Sequence, residues 1–96
     1  MPSKRSLPAA LKMARKSRGL SQEAFADVSS RTYMSTLERG LKSPTLNKLA
    51  DICDVLGIHP LTLLTLSYTG GSASEVDALI ARVRRELTAL TRRVAS

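Results

Sequence analysis

Leu20 to Gly40 reads LSQEAFADVSSRTYMSTLERG, and its punctuation decides the fold. Ser21 suits a helix N-cap, and Gln22 and Glu23 follow in a first turn where a carboxylate meets the positive helix end. Ala24, Phe25 and Val28 supply an apolar face, which predicts a short helix over 22–28. Ser29 and Ser30 compete for backbone hydrogen bonds and favour a turn. Helical periodicity then resumes from Arg31 to Arg39, with Met34 and Leu37 inward, and Gly40 stops it. Two short helices across a tight turn follow from these residues alone.

Working outward, Leu7, Leu11 and Ala14 mark a first helix from Leu7 to Arg18, with Pro8 in its first turn and Gly19 as its stop. Downstream, LKSP is a loop and Thr45 an N-cap. Leu46, Leu49, Ala50, Ile52, Cys53 and Leu56 form the apolar face of a fourth helix that Gly57 ends. His59-Pro60 opens a fifth helix through about Leu66. No segment alternates as a strand would, so the fold class is all-α. Residues 1–6 read as a flexible basic arm containing Lys4 and Arg5, and 7–66 as the globular domain. Residues 67–74, SYTGGSAS, read as a hinge, and 75–95 as an appended C-terminal helix.

In that last helix Val76, Ile80, Val83, Leu87, Leu90 and Val94 are spaced 4, 3, 4, 3, 4, an a/d seam of nearly three heptads. Leu79 widens the stripe. The Gly-Gly hinge detaches this helix from the preceding domain, so the seam predicts a homodimer. Packing back onto its own domain is the competing reading.

The chain has 96 residues, enough for one compact domain with one appended element. Aromatic residues make up 3% of it, so the core must be aliphatic. Fifteen Lys and Arg against eight acidic residues give +7, a balance that favours an anionic partner such as double-stranded DNA. The excess is not one tail, since residues 1–66 hold ten basic and five acidic side chains. Cys53 is the sole cysteine and cannot form an internal disulfide. No stretch approaches the roughly 20 apolar residues of a membrane span, and the N-terminus has no signal-like apolar region. These features predict a cytoplasmic protein. No Ser/His/Asp constellation, phosphate-binding glycine loop, paired catalytic carboxylates or metal-ligand spacing is present, so we expect no enzyme, cofactor, metal or small-molecule ligand.

A helix-turn-helix places its second helix in the DNA major groove. Arg31, Thr32, Ser35 and Thr36 lie on the outward side of that helix, all able to donate to base edges or phosphates. The sequence resembles the Cro-like and phage-repressor-like helix-turn-helix proteins, the XRE family, through LSQE, LERG, the following SP and KLADICDVLGI, over about residues 7–66. The resemblance implies a five-helix repressor-like domain and a regulator of transcription, most simply a repressor binding a pseudo-palindromic operator. It assigns base reading to Arg31, Thr32, Ser35 and Thr36, groove or phosphate contacts to Ser21, Gln22, Tyr33, Arg39 and Lys42, and a structural ion pair to Arg15 and Glu38. One departure stands out. The turn is about two residues shorter than the usual family spacing and lacks its glycine, so the short helix over 22–28 or the turn must be abbreviated. An antitoxin, or a protein-interaction module working through the C-terminal helix, are the alternative readings.

Overall fold

The computed structural model describes residues 6–95, with side chains through Arg92. The expected arm over residues 1–6, with Lys4 and Arg5, lies outside the described residues apart from Ser6, and so does the side chain of Val94. The described chain is all-helical: α1 (Leu7–Ser17), a 3-10 turn (Gln22–Phe25), α2 (Arg31–Glu38), α3 (Leu46–Leu56), α4 (Pro60–Thr69) and α5 (Ala73–Ala95). Among the described residues no single helix is long and apolar enough to cross a membrane.

Helices α1 to α4 each start where a side chain takes an orphan backbone N–H. Ser6 Oγ accepts from the Ala9 amide at 3.2 Å, Ser30 Oγ from Tyr33 at 3.0 Å and Thr45 Oγ1 from Lys48 at 3.1 Å. His59 Nδ1 accepts from Leu61 at 3.0 Å. α1 packs on α4 and α2, and α3 packs on α4 and the 3-10 turn. Leu11, Phe25, Met34, Ile52, Cys53 and Leu63 are the fully buried side chains at their junction. Burying such a side chain stabilises by about 1.5–3 kcal/mol, so this junction sets where α2 sits. The Ser6 amide also donates to the Ser67 carbonyl at 3.0 Å, tying the entry of α1 to α4.

Several boundaries differ from the sequence reading. The expected helix over 22–28 is one 3-10 turn, and Ser21 stands before it with no side-chain cap bond. At three residues per turn Gln22 and Phe25 share a face, which leaves Ala24 exposed instead of inward. Leu46, counted with the apolar face of α3, occupies its first position and is 78% exposed.

The expected hinge over 67–74 is also shorter, because α4 continues past Leu66 to Thr69. Ser67 and Thr69 are buried. Thr69 Oγ1 donates to the Thr65 carbonyl at 2.7 Å and accepts from the Gly71 amide at 3.1 Å, so its hydroxyl serves the helix end. Gly70 and Gly71 then take φ of 68° and 90°, a left-handed step that suits glycine. Only residues 70–72 separate α4 from α5.

Val76 and Leu79 in the first turns of α5 are half-buried, and α5 packs on α4. Beyond them the seam is open. Ile80, Val83, Leu87 and Leu90 are 45%, 40%, 55% and 64% exposed.

Candidate nucleic-acid interface

What fixes α2 is a polar network beneath it. Arg15 on α1 meets Glu38 at the end of α2 through two bonds, Nε to Oε2 at 2.6 Å and Nη2 to Oε1 at 2.9 Å. Arg15 Nη1 donates to the Leu20 carbonyl at 2.9 Å, and Gln22 Nε2 donates to Glu38 Oε1 at 3.2 Å. The Arg15 and Glu38 side chains are only 11% and 4% exposed. Burial pushes the Glu38 carboxyl up, but the hydrogen bonds from Arg15 and Gln22, with the charges of Arg15 and Lys12, hold it below the usual carboxylate range. The hydrogen bond to Glu38 raises the Arg15 guanidinium against the lowering effect of burial. This fork-to-fork pair, with Arg15 Nη1 on the Leu20 carbonyl and Gln22 on Glu38, ties α1, the chain at Leu20, the 3-10 turn and α2 into one unit.

The opposite side of α2 faces outward. Arg31 and Thr32 are exposed, Ser35 and Thr36 are half-exposed, and all four lie away from buried Met34 and Leu37. Thr36 Oγ1 donates to the Thr32 carbonyl at 2.7 Å, so its hydroxyl proton is engaged and its lone pairs are left to accept. Arg39, which caps α2, is exposed and sends Nε toward the Ser35 carbonyl at 3.4 Å. Ser21 and Lys42 are exposed on the segments flanking the unit.

Two assigned residues occupy different surroundings. The Gln22 side chain is half-buried and bonded to Glu38. Tyr33 is half-buried against the core, with Lys48 Nζ 5.7 Å from its ring centroid. The same Lys48 ammonium donates to the Val28 carbonyl at 2.5 Å, stapling the short turn to α3.

Sequence reasoning missed this role of Lys48, because its partners lie 15 and 20 residues away on other elements. It also missed Glu23. Its place in the sequence predicts a helix-terminus charge, yet its Oε1 lies 3.6 Å from Arg31 Nη1, with both side chains about 70% exposed. Cys53 is fully buried, and burial first, with the Asp54 charge, pushes its thiol up, as suits a packing residue.

The layout is therefore a capped, rigidly seated helix with a basic and hydroxyl-bearing outer face, preceded by a 3-10 turn and a tight connection. The sequence profile of the helix-turn-helix family matches residues 11–63, more than half of the chain and the whole of this unit. The chain belongs to the XRE/Cro-like helix-turn-helix family. It is a DNA-binding regulator of that type. Neither curated proteins nor solved structures gave a significant match. In this XRE-type domain a single 3-10 turn over Gln22–Phe25 precedes the eight-residue α2.

Proposed function

We propose that the protein is a transcriptional repressor that binds a pseudo-palindromic operator as a homodimer, with α2 of each copy in the major groove. The observation that carries this reading is the two-sided character of α2. Its inner side is fixed by Met34, Leu37 and the Arg15–Glu38 pair, and its outer side offers Arg31, Thr32, Ser35 and Thr36 to solvent.

Arg31 can donate bidentately to guanine O6 and N7, the Thr32 and Ser35 hydroxyls can donate to or accept from neighbouring bases, and Thr36 Oγ1, its proton held by the Thr32 carbonyl, can accept from a base amino group. Arg39, Lys42 and Ser21 supply phosphate contacts that set register, joined by the free edge of the Gln22 amide. Arg31 leaves Glu23 to do so. That exposed pair is worth at most about 1 kcal/mol, against about 1–3 kcal/mol for a good bidentate base contact, so DNA wins.

The homodimer rests on the exposed α5 seam, which gives the protein two reading helices. Genome-wide mapping of bound sites tests the proposal. Paired half-sites with centres about 34 Å apart, or a multiple of that turn, are expected near promoters. Single unpaired sites, or no enrichment, would overturn it.

A further inference from the structure

Resting on the homodimer reading, we infer that two copies pair their α5 helices antiparallel, around a twofold axis between Ala81 and Arg82. In this register Asp77 of each copy bonds Arg84 of the other. Ile80 then faces Val83 of the second copy, Val76 faces Leu87 and Ala73 faces Leu90, so every described seam residue gains a partner.

Charge supports both the direction and the register. Asp77 and Arg84 flank the seam at e positions, where antiparallel helices bring e against e. Neither has an opposite charge three or four residues away on its own helix. Arg82 and Glu86, on the other hand, already pair within the helix at 3.1 Å. The two e residues are seven apart in one chain, about 10 Å along the axis, beyond direct contact. Between copies they meet twice by symmetry. Sliding the pair by one heptad to centre on Arg85 would instead place Arg84 against Arg84 and Glu86 against Glu86. Parallel helices would set Leu79 beside Arg84 and Glu86 beside Thr91, with no ion pair at all.

Shape gives the second argument. The apolar strip does not stop at the first turn of α5 but continues into a groove lined by Leu61, Leu66, Gly71, Val76 and Ile80. Leu61 is exposed there. An antiparallel second copy delivers its Leu87 and Leu90 over Val76 and Ala73, at the mouth of this groove. A parallel α5 would set only its own Val76 and Ile80 at this edge, with its Leu87 and Leu90 carried to the far end of the helix.

The test is sedimentation equilibrium of the full chain, combined with oxidative cross-linking. Asp77→Arg and Arg84→Asp should each weaken the dimer about tenfold, and the double swap should return it to within about threefold of the original. Leu87→Cys alone should not self-link, because the two copies of that residue lie about 16 Å apart along the axis. Adding Val76→Cys should give a linked dimer, and buried Cys53 stays out of the reaction. Self-linking by Leu87→Cys would overturn the orientation while leaving the homodimer intact. Failure of the double swap to rescue would overturn the register. An original chain that stays monomeric at high concentration would overturn the homodimer reading as well.

Discussion

The α1–α4 domain and α5 are built from similar aliphatic residues and end in opposite conditions. In the domain Leu11, Phe25, Met34, Ile52 and Leu63 are at most 1% exposed. Along α5, a helix of 23 residues, the seam from Ile80 to Leu90 stays 40–64% exposed. Four helices and a 3-10 turn surround a shared centre and close it, whereas a single helix leaving that centre has nothing to close against. That regular apolar seam held in solvent is the surface on which the proposed homodimer rests.

Substitutions in the two regions should therefore be felt differently. Phe25→Ala should destabilise the domain by about 3–5 kcal/mol in urea unfolding, because the lost ring pins the 3-10 turn at the core junction. Leu87→Ala should change the unfolding of dilute protein by less than about 1 kcal/mol while shifting the monomer–dimer equilibrium. Equal losses at the two sites would mean that α5 folds back on its own domain.

The same contrast can be drawn with charges. Glu38→Ala strands the buried Arg15 and should cost about 3–5 kcal/mol. Glu23→Ala removes an exposed pair and should cost at most about 1 kcal/mol, while leaving Arg31 freer for DNA. A small effect at Glu38 would show that the network beneath α2 is not what seats it.

Acid gives a smaller and more gradual version of that experiment. The Glu38 carboxyl is held below its unfolded value near 4.3. Its contribution is therefore complete above about pH 4.3 and is lost as pH falls through the lower folded value. Glu38→Gln should flatten this part of the stability–pH profile. An unchanged acid slope would assign the loss to other carboxylates.

Much of this contrast was legible in the sequence. The cap at Thr45, the helix start at His59–Pro60, the apolar rows of α1 and α3 and the 4, 3, 4, 3, 4 spacing of α5 are local signals, each set by residues within one or two turns. Seven residues from Gln22 to Val28 are too few to separate an α-helix from a 3-10 turn, since the two differ by a fraction of a residue per turn. Ser67 and Thr69 read as hinge because small polar residues favour loops, and only the Thr65 carbonyl and the Ser6 amide reveal that the helix uses them. Glu23–Arg31 and Lys48–Val28 cross the turn or join separate elements, so no spacing rule announces them.

The most direct test concerns the outer side of α2. With an operator fragment recovered from the bound sites, fluorescence anisotropy should show Arg31→Ala combined with Thr36→Ala binding on the order of a hundredfold more weakly. Its melting temperature should match that of the original chain, because neither residue is buried. Undiminished operator binding by a folded double variant would contradict the assignment of base reading to this face.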